Sequence, residues 1–259
     1  LSKYPEGCQL FDRAIQLDKS FAPGYLGRAR CEYSAGHTDA AVASAKQATT
    51  LDPSRLESWY LLGDLYRAIQ RPDDALAAYD HALTIKAQDF NAIAYKAMTL
   101  LSVNRVKEAE TEIKRLNSLR PQALLAKYLK AYLYYQEKKN NEAVNLLQEV
   151  LKDNPDNPQA NLLYGTINYA LKNDEIALSS FNKVLSTTEL PEARLLLAAT
   201  QLRMGANADV IKTLEPLLAQ RNNAKAYLLA GQATLNLGQT ERGMAYLSQA
   251  STIDPKDTV

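Results

Sequence analysis

The chain has 259 residues, of which 46% are apolar and 23% charged, the make-up of an ordinary soluble protein. With 30 Lys and Arg against 29 Asp and Glu the net charge is +1, which leaves no basic footprint for nucleic acid or an anionic membrane surface. No apolar run approaches the roughly 18 residues of a membrane span, and Leu1-Ser2-Lys3-Tyr4-Pro5-Glu6 lacks the apolar core of a signal peptide.

Gly7 to Ser20 reads as one helix near residues 7 to 18, with Phe11 and Ala14 where the second helix of a hairpin places its apolar contacts. From there on the chain repeats. Ala29, Gly63, Ala97, Ala131 and Gly165 recur every 34 residues, then Ala198 and Gly231 after steps of 33. A second series keeps phase: Ala41, Ala75, Ala109, Ala143, Ala177, Val210 and Gly243. A third follows it: Ala48, Ala82, Leu116, Val150, Val184, Leu217 and Ala250. Self-similarity at this period is the mark of stacked helical hairpins. Residues 1–21 are then a partial copy, and seven complete copies start at 22, 56, 90, 124, 158, 191 and 224.

Within each copy, positions four, seven, eight and eleven form an i, i+3, i+4, i+7 stripe toward the partner helix. The small residue at position eight permits close approach, and the small residue at position twenty supplies the matching patch. Turns such as Ala35-Gly36-His37-Thr38 and Leu237-Gly238-Gln239-Thr240 separate the two helices, with Gly suited to a helix carboxyl end. Pro53, Pro121, Pro155 and Pro255 close four copies by stopping the second helix; Ala87 takes that place in the second copy.

The second copy, Trp59-x-x-Leu62-Gly63-x-x-Tyr66 followed by Ala75-x-x-x-Tyr79 and Ala82, resembles the tetratricopeptide signature position by position. The resemblance implies an all-α, right-handed α-solenoid of seven hairpins preceded by one helix of a truncated repeat, forming a single solenoid over 1–259. No polar capping helix closes the array, so the chain is expected to be a segment of a longer repeat protein.

Nothing in the sequence gathers a catalytic, metal or cofactor site, and the expectation is a non-catalytic protein without cofactor. The two histidines, His37 in a turn and His81 on an outer helix, read as solvated surface residues. Arg28, Lys96 and Lys130 occupy the usually apolar position seven; their stems are expected to pack while their charged heads reach water.

In the tetratricopeptide family, positions two, five, nine, twelve and thirteen of the first helix line a concave groove. In copies three to five those are Asn91, Ala94, Met98, Leu101 and Ser102, then Leu125, Tyr128, Tyr132, Tyr135 and Gln136, then Gln159, Leu162, Thr166, Tyr169 and Ala170. None is charged, where average composition would supply roughly four charges. Charges gather toward the ends instead: Arg30, Glu57, Asp64 and Arg67, and at the other side Glu192, Arg203 and Lys225. Tyr33 and Tyr60 extend the tyrosine series. The candidate partner-binding residues are therefore Tyr33, Tyr60, Met98 and Leu101, with Tyr128, Tyr132, Tyr135, Gln136, Leu162, Thr166 and Tyr169. Packing of these tyrosines against neighbouring copies is the alternative. No three consecutive copies carry the Lys, Asn and Arg set with which co-chaperones of this family grip a terminal carboxylate.

The runs Tyr128-Leu129-Lys130-Ala131, Gly165-Thr166-Ile167-Asn168-Tyr169-Ala170-Leu171, Leu195 to Arg203 and Leu214-Glu215-Pro216-Leu217-Leu218 occur in an order similar to that of repeat lipoproteins in bacterial exosortase (PEP-CTERM) and exopolysaccharide systems. That resemblance implies a periplasmic scaffold for protein sorting or polysaccharide export, lipid-anchored through an amino terminus absent from this sequence. A protein or peptide is the expected partner. An exported polysaccharide, or service as the recognition arm of a glycosyltransferase-like enzyme, are the alternatives. Cys8 and Cys31 fall at a similar level on adjacent antiparallel helices, so a disulfide is sterically possible; two buried reduced thiols are the favoured expectation.

Overall fold

The computed structural model describes residues 6–255. The amino-terminal residues 1–5, part of the segment read above for a signal peptide, lie outside the described residues, as do 256–259. Among the described residues the chain is all helix, with 15 helices and no strand. They fall into two compact units, Leu1–Glu137 and Lys138–Val259.

The first unit holds α1 (Glu6–Leu17), α2 (Ala22–Ser34), α3 (Thr38–Leu51), α4 (Leu56–Ala68), α5 (Pro72–Ile85), α6 (Phe90–Ser102), α7 (Val106–Leu119) and α8 (Leu124–Gln136). The second holds α9 (Asn140–Asp153), α10 (Pro158–Ala170), α11 (Asp174–Thr187), α12 (Pro191–Arg203), α13 (Asn207–Ala219), α14 (Ala224–Asn236) and α15 (Thr240–Ile253). In chain order α2 to α15 are the first and second helices of the seven repeats, stacked within each unit as α-solenoid hairpins, with α1 before them. No described helix is long and apolar enough to cross a membrane.

All three phased series are buried. Position eight faces position twenty-four of the same hairpin; two of its glycines, Gly63 and Gly165, admit a ring there, while Gly231 meets Leu247. A Cβ placed on Gly63 would meet the Tyr79 ring at 2.4 Å, and one on Gly165 would meet Phe181 at 2.7 Å. Where position eight is Ala, as at Ala97 and Ala198, position twenty-four is aliphatic, Ile113 and Leu214. Helix α1 docks by the same device, with Phe11 over Gly27 and Ile15 over Gly24.

Each of these hairpin turns closes by a residue in the left-handed region. In the first, Gly36 takes φ +82, its N–H donates to the Tyr33 carbonyl, and the His37 N–H donates to Glu32. This is the Schellman closure. Gln70, Asn104, Lys138 and Lys172 adopt the same conformation without being glycine. Proline is likewise dispensable as a stop. Helix α5 ends at an extended Lys86 whose N–H donates to Ala82, just as α3 ends at Asp52 with its N–H on Ala48, although Ala87 stands where Pro53 does.

Two expectations change here. Cys8 and Cys31 form a disulfide, with Cα atoms 5.7 Å apart, in place of two reduced thiols. The antiparallel docking of α1 on α2 brings the two residues level and within bridging range. The position-seven cations, whose heads were expected to reach water, find partners on the protein. Arg28 reaches Ser44, Glu32 and Asp12; Lys96 bridges Asp80 at 2.7 Å and Glu112 at 3.2 Å; Lys130 sits over the Tyr134 ring. Burial works against the charge on Lys96, but its bonds to Asp80 and Glu112 outweigh it and hold the ammonium pKa above its usual value.

Candidate functional site

The inner face of each unit is built from first helices of successive copies. Positions two, five, nine, twelve and thirteen of those helices turn toward this face, and the neighbouring copies decide which of the side chains there stay accessible.

In the first unit this face carries an open concavity of ≈ 780 Å³ between α2, α4 and α6, lined among others by Tyr33, Asp64, Arg67 and Ser102. Tyr33 is the exposed aromatic of the site, 48% accessible. The charges below it are spoken for. Asp64 accepts from the Tyr79 hydroxyl at 2.8 Å and from Arg67 at 3.3 Å, and Arg67 also donates to the Met98 sulfur at 3.1 Å. Burial, then the Asp64 charge, raises the Tyr79 hydroxyl far above an ordinary phenol.

Tyr60 is turned to structure. Its hydroxyl donates to Asp89 at 2.5 Å and its ring meets Tyr95 edge-on at 5.8 Å. Asp89 is the N-cap of α6 and accepts from the Ala92 N–H at 3.0 Å. Burial alone would raise its pKa; the bonds from Tyr60, Ala92 and Lys86 overcome that and hold the carboxyl below its ordinary value.

Leu101 is a correction. It is fully buried at 0% exposure because apolar side chains of α7 and α8 pack around it, whereas Tyr33 at the same repeat position is left open. It cannot touch a partner directly. Its carbonyl accepts from the Gln136 side chain at 2.7 Å, so both residues serve the α6–α8 packing. On α8, Tyr128, Tyr132 and Tyr135 form a ladder with successive ring centroids 6.5 Å apart. All three are half-buried. Burial pushes the Tyr128 hydroxyl up to about 12, with Tyr132 adding to the shift.

The second unit has its own inner-face concavity of ≈ 620 Å³ between α10, α12 and α14. Leu195, Leu196, Leu228 and Leu229 make its floor, Tyr169 its wall, and Glu192 and Lys225 stand at its rim. Arg203 lies over the Tyr169 ring at 3.7 Å and donates to the Tyr169 carbonyl and to Asp174. Leu162 packs beside Phe181 beneath Tyr169, and Thr166 donates back to the Leu162 carbonyl at 2.8 Å.

The structure thus groups Tyr33 with Asp64 and Arg67, gathers the α8 tyrosines, and joins Tyr169 to a leucine floor. Sequence reasoning stopped the apolar stretch at the fifth copy and missed that floor. The signal was present, since Leu195 and Leu228 hold position five of copies six and seven.

Stacked hairpins with open inner faces define a repeat scaffold for protein–protein interaction, recognised through surfaces and not through a single pocket. Models of the tetratricopeptide repeat match residues 26–90, 128–194 and 224–257, and the chain belongs to that family. It is 23% identical over 224 residues to the human Superkiller complex protein 3, covering 80% of this chain and 14% of that one. Its fold is similar to a chain of the APC/C hetero-tetramer Cut9–Hcn1, with a TM-score of 0.75 at 14% identity over 99% of this chain and 51% of the other. It is also similar to YrrB, described as a tetratricopeptide protein with an unusual peptide-binding site, with a TM-score of 0.50 at 21% identity over 75% of this chain and 99% of that one. The chain therefore spans a small part of the curated relative and about half of the first of these structures.

Proposed function

We propose that the chain is a non-catalytic scaffold that holds segments of a protein partner on the inner faces of its two units. The observation that carries this reading is the pair of inner-face concavities, one polar under Tyr33 and one leucine-floored beside Tyr169. Aromatic and apolar surface left uncovered at regular repeat positions supports recognition more than packing. The peptide-binding site described for YrrB lends a precedent on the same fold.

The setting we propose is the bacterial envelope, with the parent protein lipid-anchored in the periplasm and serving protein sorting or exopolysaccharide export. The sequence runs similar to exosortase-associated lipoproteins support it, and so does the Cys8–Cys31 bond, since disulfides persist in oxidising compartments. A neutral glycan stacked on the α8 tyrosines is the second reading, favoured by the near-parallel Tyr132 and Tyr135 rings, 30° apart.

A photo-crosslinking amino acid at Tyr33 or Leu228, with Ser179 on α11 as the outer control, tests the scaffold in living cells. Discrete protein adducts from the inner positions alone are expected. Equal capture at Ser179 refutes the assignment, and calorimetric binding of purified exopolysaccharide abolished by Tyr132→Ala transfers it to the glycan reading.

A further inference from the structure

The two concavities differ in how their charges are used. In the first unit Asp64 and Arg67 bond to each other and to Tyr79 and Met98, so little charge remains for a ligand. In the second unit Glu192 and Lys225 are exposed at the rim, and neither has an ion pair among the described residues. They hold the same position, the second residue, of α12 and α14. Equivalent positions on neighbouring first helices lie about one helix diameter apart, roughly 10 Å.

One turn further along the same two helices lies the leucine floor. Leu195, Leu196, Leu228 and Leu229 are half-buried, so each still offers apolar surface upward. The wall is fixed: Arg203 clamps the Tyr169 ring from above while bonded to the Tyr169 carbonyl. A volume of ≈ 620 Å³ is within the roughly 300–1,000 Å³ of clefts that bury a ligand. An apolar cleft with a carboxylate on α12 and an ammonium on α14 at its edge is polar in direction as well as hydrophobic. An acyl chain would use the floor alone, and an anionic headgroup gains at Lys225 what it loses at Glu192. A peptide segment can satisfy all three features together.

We infer that the second unit reads a short peptide with a large apolar anchor, Leu, Ile, Met or Phe, flanked by a basic residue toward Glu192 and an acidic residue toward Lys225. The inference rests on the partner-segment reading above and adds the chemistry and direction of the segment. The anchor fills the leucine floor, and the flanking charges set which way the chain runs.

Random-peptide display against the full chain, followed by fluorescence polarisation of the selected peptides, tests it. The selected set is expected to share the basic–apolar–acidic order. Leu228→Asp should weaken those peptides by about ten-fold or more with unchanged helical circular dichroism. The double reversal Glu192→Lys, Lys225→Glu touches only exposed rim charges, and it should exchange the preference so that acidic–apolar–basic peptides bind better by about ten-fold. Peptides that bind both variants as they bind the parent, but lose affinity on Tyr33→Ala or Tyr132→Ala, overturn this inference and leave the scaffold reading standing. A display that enriches no peptide overturns both.

Discussion

Tyr79 and Gly63 show how closely the hairpins are fitted. The ring is fully buried and would lie 2.4 Å from any Cβ at position 63, with its hydroxyl bound to Asp64, so it has nowhere to retreat. Gly63→Ala should cost about 1–3 kcal/mol in urea unfolding. Gly7→Ala, where nothing lies within 4 Å, should be neutral or mildly stabilising, and equal losses at both sites would refute the packing argument. Asp89 contributes a pH dependence to the first unit. Its carboxyl pKa lies below the ordinary 3.8, so its contribution is full above that value and is lost as pH falls through the lower folded value. Asp89→Asn should keep the cap but lose the charge that strengthens the Tyr60 bond and pairs with Lys86, and so be less stable than the parent near neutrality by about 1–2 kcal/mol. The difference should narrow in denaturation below about pH 4. The small residue at position eight and the core place of Tyr79 were both legible from the repeat, but the closeness of their contact was not, because it depends on how near the two helices pack.

Turns and helix ends obey geometry that only partly reaches the sequence. Gly36, Gly205 and Gly238 announce their left-handed positions, whereas Lys172 adopts φ +63 unannounced because the hairpin on both sides imposes it. Left-handed conformation costs a side-chain-bearing residue roughly 1–2 kcal/mol, and the freedom of glycine in the unfolded chain offsets part of the relief. Lys172→Gly is therefore expected to raise stability by about 0.5 kcal/mol, measurable as a shift in the thermal midpoint. The disulfide acts on one element. It closes a separation of 23 residues, a constraint worth about 3 kcal/mol, and pins α1, whose Leu10 and Leu17 are exposed, onto α2. Cys31→Ser should release hydrogen-exchange protection in α1 while protection in α4 to α7 stays at the parent level. Protection lost through the first unit at once would show that α1 is integral to it.

Stacked repeats touch only their neighbours, so stability is local and roughly additive along the chain. Leu214 is fully buried among α12, α13 and α14. Leu214→Ala should cost about 2–5 kcal/mol, with exchange protection falling in α12 to α15 and not in α2 to α5. A uniform loss would contradict the one-dimensional picture. The two 33-residue steps have separate origins. In the fifth copy the missing residue comes from the loop before α12, three residues long where the others have four; in the sixth it comes from α13, one residue shorter than the other second helices of complete copies and carrying Pro216 in its interior. A proline there removes a backbone donor and disturbs the last turn.

The hairpin period, the starts of the first helices and the buried series were all present in the sequence, because every copy solves the same packing problem and repeats its answer. The fate of each inner-face residue was not. Leu101 went into the core and Tyr60 to an aspartate, while Leu195 and Leu228 stayed open. One position in a repeat fixes the direction of a side chain, but the neighbours that cover or bind it come from other copies with different residues. The cysteine pair and the position-seven cations follow the same logic. Their partners lie on adjacent helices, so only the packed structure decides whether a thiol meets a thiol or a charge meets its counter-ion.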